Sequence, residues 1–414
     1  MNKLINCTIA LLIFTFIIPI LTSCDTGPEK SSTTEEIAGE IREIGKHILY
    51  SSQSIYGDIF IAGEYVFGNS LENQYITAFN LLTGEKEIIR EIPLDHRFES
   101  PSIFENRIVW SECVLPPGFL DYPQKDFDSL DWNIYFLDLG TGEERQITTD
   151  ECAQYSPRIS DDHIVWLGAR HEEDKNYPHY YDVYAYDLHT EKEIRITTNT
   201  TVNDRDLSIS GNTVVWTDCR NDDPEIRIQE KPPISNNDIY CYDLATGREI
   251  QVTSDPANDS SPSIHNGRIV WKRQFGTINR DIYLYETETG REIQISSSGY
   301  ASGQFQPGIF DNLIVWGDSR LTDGQSSGDC FGIDMESGTS QSGSSEIFMY
   351  NLDSGEENLL VPSIGTEFTQ KIRDGEIVST AWQVLNNPII HGNYVIYTDE
   401  IQVGSIVYVK ELEK

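Results

Sequence analysis

One phrase, written several times, constrains this chain more than any other feature. "DIYCYDLATGREIQVT" (238–253) returns as "DIYLYETETGREIQIS" (281–296), "NIYFLDLGTGEERQIT" (133–148), "DVYAYDLHTEKEIRIT" (182–197) and "EIFMYNLDSGEENLL" (346–360). Such self-similarity means one small unit built repeatedly, each copy burying its faces against the next. The copy at 261–296 shows the parts. "SPSIH" opens a strand, Asn266-Gly267 suits a two-residue hairpin turn with positive φ, and "RIVWKR" follows. "DIYLYET" is the third strand, and a Thr289-Gly290 turn leads into "REIQIS". Four strands joined by hairpins make one antiparallel blade.

The landmark "IVW", written "VVW" at 214–216, places Trp at 110, 166, 216, 271 and 316. "YVF", ending at Phe67, and "YVIY", ending at Tyr397, take its place in the first and last units. The expected fold is therefore all-β, a seven-bladed β-propeller of four-stranded antiparallel blades, with six blades as the alternative. "IVW" is apolar at consecutive positions, so both faces of its sheet must be covered, as stacked blades require. Pro101, Pro157, Pro262 and Pro307 mark first strands, whose inner edge lines the channel and loses no ladder bond to a missing N–H. The last unit lacks a fourth strand, and "GEIREIGKHILY" (39–50) resembles one. The N-terminal segment is expected to complete the last blade and close a single propeller domain over 37–414. A helix capped at Thr33 with Glu36 is the competing reading.

The first residues read as an export signal. A basic start at Lys3 precedes an apolar run from Ile9 to Leu21, too short for a good spanning helix. "LTSC" (21–24) resembles the lipobox of bacterial lipoproteins. That resemblance implies a signal peptide over 1–23, lipidation of Cys24, and a polar tether over 24–36. It also implies an extracytoplasmic protein held to the membrane by its lipid alone, at the cell surface or the periplasmic face. The pattern "SPSI…GRIVW…DIYLY…TGREIQIS", over roughly 50–414, resembles the TolB-like propeller repeats of exported prokaryotic proteins. This implies architecture and leaves activity open.

A formal net charge of −37, from 30 Lys plus Arg against 67 Asp plus Glu, argues against a nucleic-acid partner. Partners compatible with it are an envelope protein or a polysaccharide. The 2→3 connections (111–132, 167–181, 217–237, 272–280 and 317–345) are long and fall on one face, where binding loops usually sit. Phe127, Trp132, His171, Tyr177, His179, Tyr180 and Arg220 are the candidate ligand-binding residues there. Arg220, two residues after Asp218, also reads as a structural ion pair. Asp126, Asp128 and Asp131, or Asp218, Asp222 and Asp223, offer hard oxygen ligands for Ca²⁺ but not the EF-hand spacing; no cofactor is expected. Cys113–Cys152 is the candidate disulfide. No G-x-S-x-G, H-E-x-x-H or P-loop is present, so a non-catalytic binding module is the expected function. A propeller-type polysaccharide lyase or hydrolase, and a scaffold subunit of an envelope complex, are the alternatives.

Overall fold

The chain forms a seven-bladed β-propeller in a computed structural model. The structure describes residues 41–67, 71–119, 127–170, 181–198, 202, 206–221, 236–276, 279–296, 304–318, 332–333, 340–341, 346–362, 370–373, 376–380, 385–400 and 405–412. Two compact units divide the chain, Met1–Thr34 and Glu35–Lys414. The first lies outside the described residues, and with it Cys24 and the apolar run. Among the described residues, no helix is long and apolar enough to cross a membrane.

Blades 2 to 6 span 96–146, 154–195, 207–251, 258–294 and 304–361, each a four-stranded sheet in chain order. Blades 1 and 7 share a strand. Ile41–Tyr56 pairs through its first half with Ser405–Glu411, from Ile41↔Lys410 to Ile48↔Ser405. Its last residues pair with Ile59–Phe67, from Gln53↔Ala62 to Tyr56↔Ile59. One strand is thus the outermost of blade 7 and the innermost of blade 1, and the ring is stitched shut by backbone hydrogen bonds.

The repeated phrases have structural causes. Each "IVW" tryptophan, at 110, 166, 216, 271 and 316, is fully buried. Each stacks on the aromatic opposite it in strand 3, with centroids 5.7 Å apart for Trp110–Tyr135 and 6.1 Å for Trp316–Phe348. The "D-L-x-T-G" turn is an Asx turn: Asp138 Oδ1 accepts from the backbone N–H of Gly140 and Thr141, and Asp187 Oδ1 from His189 and Thr190. Asn266 (φ 46°) and Gly267 (φ 75°) form the two-residue turn that their order suggests.

Three sequence expectations change. In blade 1 the tryptophan position is Ala62, not Phe67: Ile61 pairs with Ser54 as Val109 pairs with Ser102. The apolar "YVF" sits in a long extension of the same strand and drew the alignment off register. The prolines lie inside their strands, within a β-bulge, rather than at strand starts; in blade 5 the register breaks between Ser260 and Ser263 around Pro262. Residues 272–280 are mostly strand, with Phe275 pairing to Asn279.

Candidate functional site

The loop-rich face carries a core of its own. The connection after blade 2's second strand turns back so that Leu115, Leu130 and Trp132 join Tyr155, Tyr181 and Val202 in a buried cluster. Trp132 Nε1 donates to the carbonyl of Phe127 at 2.8 Å, and Phe127 packs edge-on against Phe119 at 5.2 Å. Trp132, expected on a ligand surface, is 4% exposed and serves as a core anchor. An indole beside a chain reversal satisfies its one N–H on a loop carbonyl and buries the rest. His171, Tyr177, His179 and Tyr180 lie outside the described residues.

Arg220 belongs to a clamp that recurs from blade to blade. Its Nη2 lies 2.6 Å from the buried Asp218 and its Nη1 2.7 Å from Glu249, while the guanidinium covers the Tyr240 ring at 4.1 Å. Arg273 repeats the arrangement with Asp255, Asp259, Glu292 and the ring of Tyr283. Arg170 does so with Asp150, Glu193 and Tyr184. The glutamates are those of the "KEI" and "REI" phrases in strand 4, so that repetition encodes a brace across three successive blades. Arg220 is a structural member of this brace. Asp218 is committed too, accepting from Trp216 Nε1 at 3.0 Å as well as from Arg220. Blade 5 breaks the rule: Arg273 stands where an acceptor would be, and Trp271 Nε1 is buried without a partner.

Asp131 is exposed, and Asp126, Asp222, Asp223 and the side chain of Asp128 lie outside the described residues. Among the described residues, no three His, Cys, Asp or Glu converge as metal ligands. Cys113 and Cys152 are separate thiols rather than a bridge. Cys113 lies in a strand, not a loop, and burial pushes its thiol up to about 12. Cys152 accepts from Gln154 Nε2 at 3.3 Å instead.

The sequence places first strands on the channel but assigns no candidate residue to the ring axis. A cavity of about 450 Å³ runs there, lined by the first strands of the blades. Two levels are visible. At the bulges, Ser100, Ser156 and Ser261 adopt φ of 53°, 51° and 58°. This left-handed backbone costs a non-glycine residue roughly 1–3 kcal/mol and tends to mark functional sites. Among the described residues the hydroxyls of Ser100 and Ser156 make no hydrogen bond, whereas Ser261 donates from N and Oγ to Asp206 Oδ2 at 3.1 Å. Two residues on, Arg158 enters the cavity. Burial pushes its pKa down, and the fields of Asp206 and Glu99 oppose that shift.

Beyond the cavity, toward the tight turns, the strand ends form an aromatic collar. His265–Phe310, Phe310–His391, His391–Tyr56 and Tyr56–Phe104 have centroids 4.4, 4.3, 4.9 and 4.7 Å apart. Ser160 and Ser210 complete the circuit, accepting from the backbone N–H of Gly211 and Asn266 in the following blades. His391 is held down at about 4, chiefly by burial and then by His265. The spacing of these residues was visible in the sequence, but nothing there told which side of the first strand meets the axis.

No family model and no curated protein matches the chain. Solved structures show the fold. The propeller domain of the Trilobed protease from Pyrococcus furiosus is 13% identical with a TM-score of 0.54, covering 89% of this chain and 95% of its own. That domain is described as having an open velcro topology, unlike the strand-paired closure here. Pyrococcus horikoshii acylaminoacyl peptidase is 12% identical with a TM-score of 0.54, over 88% of this chain. This chain spans about half of that peptidase, 51% of its length. TolB from Acinetobacter baumannii is 13% identical with a TM-score of 0.39, over 86% of this chain and 80% of its own.

Proposed function

We propose that this protein is an extracytoplasmic, lipid-anchored binding module. It takes an envelope protein or a surface polysaccharide on its loop-rich face, with Cys24 as the lipidated residue and 24–36 as the tether. The observation that carries this is the buried cluster under that face. Leu115, Phe119, Phe127, Leu130 and Trp132 pin the two described ends of a long connection. A chain ordered by its own core presents a pre-formed surface, which lowers the entropy cost of binding. The tight turns of the opposite face offer no comparable platform.

Biolayer interferometry of the full chain against purified envelope proteins and surface polysaccharide tests the reading. Tyr177→Ala with Tyr180→Ala should lose binding, while Lys192→Ala beside a tight turn should keep it. Equal binding by all three proteins would place the contact elsewhere.

A further inference from the structure

We propose that the axial cavity is a second ligand site, one that binds a small organic monocarboxylate bearing hydroxyl or amino groups, with Arg158 as its anchor. Strand register defines the position of Arg158 in every blade. It pairs with Val165 as Ser102 pairs with Val109, Ser208 with Val215, Ser263 with Val270 and Gly308 with Val315. Ser54 opposite Ile61 and Ile389 opposite Ile396 fill the same position. Serine is the usual occupant of this column, and Arg158 alone carries a charge.

Its partners are unlike those of the clamp arginines. Arg170, Arg220 and Arg273 each sit among carboxylates. Among the described residues, Arg158 forms no ion pair, and its one hydrogen bond is from Nη1 to the carbonyl of Pro157 at 2.9 Å. In a chain of net charge −37, an arginine left unpaired beside a polar cavity is a vacancy for an anion. The fork of a guanidinium matches one carboxylate. Asp206 lines the same cavity and would repel a second negative charge while accepting from an ammonium or hydroxyl. Ser100 and Ser156 supply hydroxyls with no other partner among the described residues, and about 450 Å³ suits a small molecule.

Calorimetry on the full chain tests this with gluconate and glycine as carboxylate probes, glucose as a neutral probe and inorganic phosphate as a polyanion. Saturable binding of gluconate or glycine, absent for glucose and phosphate, is expected. Arg158→Gln should weaken it at least about tenfold, the scale of one charge-assisted contact. Ser208→Asp, which adds a negative charge at the same position of the neighbouring blade and leaves Arg158 in place, should abolish it. This second variant covers the case in which Arg158→Gln does not fold. No binding of either carboxylate, tighter binding of phosphate, or undiminished binding in both folded variants would overturn the proposal. Because the loop face is read with other probes and other variants, either result can fail alone.

Discussion

Replacing Arg273 with methionine should separate the two halves of a clamp. The side chain is nearly buried, and its Nε and Nη2 donate to Asp259 at 2.8 and 2.9 Å and its Nη1 to Glu292 at 2.8 Å. Methionine keeps apolar bulk over Tyr283 and removes the charge. Asp259, fully buried, would then be a carboxylate without its counter-ion. Stranding one member of a buried pair costs about 3–5 kcal/mol. Adding Asp259→Asn should recover most of that loss, because the buried charge goes with it.

The same variant has a pH signature. Burial already raises Asp259 from 3.8 to about 6, against the pull of Arg273. Without Arg273 the value goes higher still. A carboxyl whose folded pKa lies above its unfolded value takes up a proton on folding, so acid restores stability and rising pH removes it. Urea midpoints at matched slope should show the Arg273→Met deficit growing as pH rises above about 6 and shrinking away as pH falls toward it. A deficit below about 1 kcal/mol, or a double variant no more stable than the single, would refute the clamp as a charge-neutralising device.

Three further outcomes follow from the packing. Trp271→Ala should cost about 3–5 kcal/mol in denaturant titration, since it empties a site between blades without breaking a hydrogen bond of its Nε1. His391, held down at about 4 against an ordinary 6.5, stays neutral in the fold. Its contribution to stability is therefore complete above 6.5 and is lost as pH falls toward 4, and His391→Phe should flatten the stability curve across that window. Deleting residues 1–49 removes the strand paired to Ser405–Glu411 and should lower the melting temperature and broaden the transition, as scanning calorimetry would show.

The repeats made the blades legible because their constraints are local. A turn needs Asn-Gly, a strand buried on both faces needs "IVW", and an Asx turn needs its Asp. Blade 1 was misplaced where the local signal is weak: Ala62 replaces tryptophan, and "YVF" five residues later imitates it. The site was far less legible. Trp132 and Arg220 have the composition of a binding surface, and only tertiary contact shows that one anchors a loop and the other braces a blade. The strands that line the axis could be read, but not the side chains that face it, because that wall is assembled from one short strand in every blade.

That difference suggests how function is written in a ring of repeats. Positions that obey the repeat carry load shared among several blades: the tryptophan stack, the Asx turn, the glutamate of the brace. Selection for a particular ligand can appear only where a copy departs from its siblings. Some departures have structural reasons; Arg273 takes the acceptor's place after Trp271, and Asp259 on the first strand supplies the missing charge. Arg158 has no such compensation. It replaces serine on the wall of the axis, forms no ion pair among the described residues although Asp206 and Glu99 act on it from a distance, and stands among hydroxyls held in a costly backbone conformation. An uncompensated departure at the point where all blades converge is the feature least explained by folding, and so the one to probe for chemistry.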